Sequence, residues 1–500
     1  MSTLLRNARR YDGTLVDLEI ENGRLARVSS EPAARVSKPA REELDLDGRW
    51  VGPGLWDSHV HFGQWTLVSR RLDVSGAASA AETAARVRDE LAQHPPAPGE
   101  VLIGQGFRDG LWPDAPTREL LEFGGVPVAL VSGDVHCMWI NAAAQRALGL
   151  PADAWLLREK DAFDLNVRLS AVPDAQLDAW ALEAAATAAS RGVVGVVDLE
   201  MSGAVASWQR RFGAGFSGLR VRAGVYPDDL EAVAAAGIAT GRAVPDTEGL
   251  LIGGPFKLFT DGSLNTRTAW CYDDYPGLSG PDAAGLAIHS ADELLGLARD
   301  ALARGFVPTI HAIGDQATTL ALDTFEALGP LPARVAGSGG SIEHAQLVAD
   351  ADLRRFAALG VRASVQPEHA MDDRDVADHF WAGRTGRAFA YRALWEAGAE
   401  LALGSDAPVA PLDPWVTVSA AVTRSRDGRA PWHPEQALPI EVALRASWGG
   451  VVDLTEGSPA DLVVTELNPV AANGEQLRGM PVHATMVAGE WTYGEWASRG

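Results

Sequence analysis

Eight times along the chain a short apolar run ends near a polar, chemistry-capable residue or a turn, and helical spacing follows most of these runs. This repetition narrows the fold more than any other feature. The runs lie at 54–61, 193–199, 219–225, 255–260, 306–311, 341–344, 361–366 and 400–405. Most are rich in Val, Leu, Ile or Phe, as strands covered on both faces are. Helical stretches such as 291–304, 315–327 and 385–397 fall between them. Strands alternating with helices predict an α/β chain whose parallel sheet closes into a (β/α)8 TIM barrel.

The two ends read differently. Val16-Asp17-Leu18-Glu19-Ile20 alternates apolar and polar residues, the period of a half-exposed strand, and Glu21-Asn22-Gly23 carries a hairpin-turn signal. Short strands recur at Asp461–Thr465 and Ala484–Trp491. The expected organisation is a small β-sandwich from residues 1–50 and 440–500 and a barrel over 51–439. Residues 70–170 are too long for a barrel loop and predict an inserted α/β subdomain.

Composition excludes some functions. A formal net charge of -23 argues against nucleic acid, whose phosphates require clustered Lys and Arg. Two cysteines, Cys137 and Cys271, cannot make a disulfide framework for 500 residues. The opening residues lack an apolar signal core, and no apolar run of about 18 residues is present. The expectation is a cytoplasmic enzyme without nucleic acid or membrane as partners, with a homodimer left open.

The chemistry sits at the ends of the runs. In Trp56-Asp57-Ser58-His59-Val60-His61, the two histidines are two apart, so on a strand both imidazoles face one space. Neutral imidazole binds zinc and similar ions. Lys257 lies inside the apolar run Pro255–Thr260, where an unpaired ammonium is costly. It needs a partner such as Asp261, or a metal centre at which it is deprotonated or carboxylated. His311 and His344 each close a run, and Asp406 follows Leu401–Ser405. Singly, each residue has an ordinary structural explanation. Together they lie at or near the C-terminal ends of five strands, the face where barrel enzymes keep their active sites.

In this order the residues resemble the amidohydrolase superfamily. More narrowly, Lys257-Leu-Phe-Thr-Asp-Gly-Ser-Leu, His311-Ala-Ile-Gly-Asp, Ile342-Glu-His-Ala-Gln, Gly404-Ser-Asp-Ala-Pro-Val and Gly133-Asp-Val-His-Cys-Met-Trp-Ile-Asn141 are similar to signatures of its family 3 branch, which includes N-substituted formamide deformylases. The resemblance implies one or two divalent ions, usually zinc. His59 and His61 would hold one ion with Asp406, His311 and His344 the other, and carboxylated Lys257 would bridge them. It also implies that Asp406 moves protons while activated water attacks an amide or formamide. Candidate substrate contacts are His136, Trp112, His369, Asp261 and Arg267. Deamination, lactone opening and ester hydrolysis need the same activated water and stay open at this stage, as does a non-catalytic barrel scaffold.

Overall fold

The computed structural model describes residues 2–30, 42–97, 99–107, 109, 112–133, 137–151, 153–331 and 339–497. Its central sheet has eight parallel strands in sequential order. They are β1 (Leu55–Val60), β2 (Val193–Asp198), β3 (Arg220–Val225), β4 (Leu251–Phe259), β5 (Pro308–Ala312), β6 (Ser341–His344), β7 (Arg362–Val365) and β8 (Leu401–Leu403). All eight coincide with the apolar runs of the sequence. β4 begins four residues earlier than 255, through Leu251-Ile252-Gly253-Gly254, where two glycines mask the strand pattern.

Closure falls between β8 and β1. The amide of Asp406 donates to the carbonyl of His59 at 2.7 Å, and the amide of His61 donates to that of Ala407 at 2.8 Å. The buried Asp57 carboxylate joins the same seam, accepting from the amides of Ser405 at 2.9 Å and His59 at 3.1 Å. Because first and last strands meet here, residues 348 positions apart in sequence, Asp57 and Ser405, become neighbours.

The strand-to-helix alternation has local causes. Ser290 and Glu293 form a reciprocal capping box that starts the helix Ala291–Ala303. The helix Asp315–Leu328 begins directly after β5 and buries Ala317, Ala321, Leu322 and Phe325 on one face. Two details differ from the sequence expectation. A helix at His369–Phe380 follows β7, and 385–397 resolves into a short 3-10 turn and the helix Tyr391–Glu396. Acidic and polar residues through 372–379 hide the apolar stripe of the first.

Both ends of the chain contribute to a separate eight-stranded sheet. Trp50–Pro53 pairs in parallel with Arg9–Arg10 on one side and antiparallel with Leu462–Thr465 on the other, which joins the two termini. Its core includes Leu5, Val16, Leu18, Leu44, Leu462, Val464 and Met486. Asn22 and Gly23 have φ of 50° and 72°, as a tight hairpin demands.

Gly63–Ala181 forms a second compact unit. Its five-stranded sheet runs from Leu72–Asp73 through Leu102–Phe107, Val128–Ser132 and Cys137–Ile140 to Leu156–Arg158. No helix among the described residues is long and apolar enough to cross a membrane.

Candidate metal centre

The C-terminal rim of the barrel gathers five histidines around the carboxylate of Asp406. His59 and His61, two apart at the end of β1, turn their Nε2 atoms to the same oxygen, Oδ1, at 3.4 and 3.3 Å. From the far side, Nε2 of His369 stands 3.8 Å from Oδ2. The ring of His344 lies 5.0 Å from that of His59, 4.5 Å from that of His311 and stacked at 6.0 Å on that of His369. Two triads bring one potential ligand atom each to within 4.8 Å of one another: His59, His61 and Asp406, and His344, His369 and Asp406.

Backbone conformation makes this convergence possible. Glu343 and His344 are consecutive, so on a regular strand only one could face the barrel interior. β6 ends at His344, where φ is 73°, and both side chains reach the site. Asp406 has φ of 59°. Non-glycine residues in this region cost on the order of 1–3 kcal/mol each and persist where the surroundings hold them.

The electrostatics suit a Lewis acid. Burial, aided by the charge of Lys257, lowers His59 and brings His311 down to about 3. Burial and neighbouring His311 hold His344 well below its ordinary value. Burial works against protonation of His61, but the hydrogen bond and charge of Asp406 raise it. Burial also opposes ionisation of Asp406, and the surrounding histidines overcome this and hold it well below the ordinary carboxylate range. Burial lowers Lys257 against the pull of Glu343 and Asp406. Most of the imidazoles therefore offer lone pairs beside an ionised carboxylate.

The donor set fits a divalent ion. Nδ1 of His61, Nδ1 of His344, Nε2 of His369 and Nζ of Lys257 are buried without a hydrogen-bond partner. Leaving one such group unsatisfied costs about 1–3 kcal/mol. A cation shared by nitrogen and carboxylate donors gives lone pairs of this kind a use.

The other sequence candidates are placed as follows. His311 lies beside His344, with Nε2 3.2 Å from the carbonyl of Gly262, and it enters neither close triad. Asp261 is fully buried. It accepts from the amides of Ile313 at 3.0 Å, Gly314 at 2.8 Å and Trp270 at 2.8 Å, and stands 3.6 Å from His311. It thus ties the loop after β4 to the end of β5. Arg267 stacks over Phe380 at 5.5 Å. Trp112 donates to the carbonyl of Ala77 and packs on Phe107 inside the second unit. His136 lies outside the described residues.

Two site residues escaped the sequence reading. Asp57 and Glu343 are carboxylates inside apolar strands, the same signal that singled out Lys257. His369 was read as a residue of the mouth, and it reaches Asp406.

The profile of the amidohydrolase family matches residues 42–493. The chain belongs to the amidohydrolase family. Among curated amidohydrolase relatives, the putative amidohydrolase YtcJ of Bacillus subtilis is 27% identical over 92% of this chain and 92% of its own length. The N-substituted formamide deformylase of Arthrobacter pascens is 26% identical over 95% of this chain and 94% of its own. An uncharacterised metal-dependent hydrolase from Pyrococcus horikoshii OT3 has a similar solved structure, with a TM-score of 0.77 and 25% identity over 95% of this chain and 99% of that one. Amidohydrolase membership makes this chain a hydrolase by family.

Proposed function

We propose that this chain hydrolyses a carbon–nitrogen bond of a small amide, of the N-substituted formamide class, at a zinc site on the barrel rim. One observation carries the reading: a single buried carboxylate, Asp406, takes two histidines on one oxygen and a third on the other. The activity of the Arthrobacter pascens relative supports the choice of bond.

His59, His61 and Asp406 would hold one ion, and His311 and His344 a second, with Lys257 between. When bound, the metal supplies Lewis acidity that polarises a carbonyl and brings the pKa of water toward ~7. Lys257 suits this place because burial favours its neutral amine, the form that can be carboxylated by carbon dioxide. Asp406 accepts the proton of the attacking water at its carboxylate and returns it to the leaving nitrogen. His369 stacks on His344 and holds the second oxygen of Asp406 in register. The substrate faces the loops after β4 and β7, where Arg267, Asp261 and His369 lie.

Elemental analysis of the purified full chain, followed by a panel of formamides, other amides, lactones, esters and heterocyclic amines, tests this. Bound zinc and turnover of formamides or amides are expected. Turnover confined to lactones or ring amines would move the reaction to another class. Neither metal nor turnover would leave a scaffold.

A further inference from the structure

Nδ1 of His59 meets a carboxylate oxygen of Glu343 at 2.7 Å, and both residues are almost wholly buried. A carboxylate that is ionised can only accept, so the proton of this bond belongs to the imidazole. Gln366 also points an amide nitrogen at the same Nδ1, but from 3.5 Å, and it donates as well to the carbonyl of Ser364 at 3.3 Å. One ring nitrogen cannot be donor to Glu343 and acceptor from Gln366 at once. The shorter, charge-assisted contact decides between them.

The other oxygen of Glu343 is anchored independently. It accepts from Oγ1 of Thr309 at 2.5 Å and Oγ of Ser341 at 3.0 Å, and those hydroxyls are 2.6 Å apart. Glu343 therefore spans the barrel interior, from β5 and β6 on one side to β1 on the other. Rotation of its carboxylate would break all of these bonds together.

We infer that Glu343 is a positioning residue that fixes His59 as the Nδ1–H tautomer, leaving Nε2 as the lone-pair donor toward Asp406 and His61. The consequence for metal uptake rests on the hydrolase reading above; the tautomer does not. A carboxylate behind a ligand histidine raises its basicity and fixes its ring, and losing such a partner weakens metal binding about 10–100-fold.

The test has two arms, each on the full chain. In the metal-free protein, nitrogen-15 NMR of the imidazoles, with His59 assigned by its loss in His59→Asn, reads which nitrogen bears the proton. Wild type is expected to carry it on Nδ1. Glu343→Leu is expected to move population to Nε2, and Glu343→Gln, whose amide oxygen still accepts, to retain most of the wild-type tautomer. In the second arm, competitive titration with cobalt(II) is expected to show affinity about 10–100-fold weaker in Glu343→Leu and a smaller loss in Glu343→Gln. A proton on Nε2 in the wild type overturns the inference, even if Glu343→Leu does not fold. So does wild-type tautomer and cobalt affinity in a folded Glu343→Leu. A wild type with Nδ1–H that takes up no cobalt would instead sink the metal site and leave the role of Glu343 standing.

Discussion

His369 and Asp406 meet with Nε2 3.8 Å from Oδ2, on the carboxylate oxygen that His59 and His61 leave free. The contact joins the first residue of the helix after β7 to the turn after β8. If His369 holds Asp406 in register, His369→Asn should lower kcat about 10–100-fold with KM little changed. Steady-state kinetics on the preferred substrate check this. A raised KM at unchanged kcat would make His369 a substrate contact instead.

Asp406→Asn removes the proton acceptor while keeping shape and an oxygen donor. Loss of turnover on the order of 10²–10⁴-fold is expected, with some metal retained. Kinetics together with elemental analysis of the same preparation give the answer. Ordinary turnover would take Asp406 out of the mechanism.

Lys257→Ala should lower metal content and activity together, and a short carboxylic acid should restore part of both by filling the space of a carboxylated side chain. Elemental analysis before and after adding acetate or propionate measures this. Full metal and full activity without the additive would remove Lys257 from the centre.

Asp261 accepts three backbone N–H groups, and its truncation strands them. Asp261→Ala is therefore expected to destabilise the fold by on the order of 3 kcal/mol or more, read by urea unfolding. An unchanged unfolding midpoint with a raised KM would favour direct contact with substrate.

Gly404 has no room for a side chain: an added Cβ would stand 2.7 Å from the amide nitrogen of His59 and 3.0 Å from its Cβ. Gly404→Ala should push β8 from β1 at the closure. A loss of about 1–3 kcal/mol is expected, as for other overpacked sites. Weaker metal retention should accompany it, because His59 and Asp406 sit on the two sides of that seam.

The repeated apolar runs by themselves determined the barrel, because a strand covered on both faces must be apolar almost throughout, and that demand is written residue by residue. They also located His59, His61, Lys257, His311, His344 and Asp406, since polar groups inside such runs or at their ends stand out against their neighbours. Only the tertiary structure decided which of these meet. Closure of β8 on β1 brings Asp406 to His59 and His61. The positive φ of His344 turns two consecutive residues inward, and the helix after β7 carries His369 back to Asp406. The partnership of Glu343 with His59 was equally invisible. The spacing along one strand says which way a side chain points, but not what waits across the barrel, and a buried charge is settled by the neighbour it finds there.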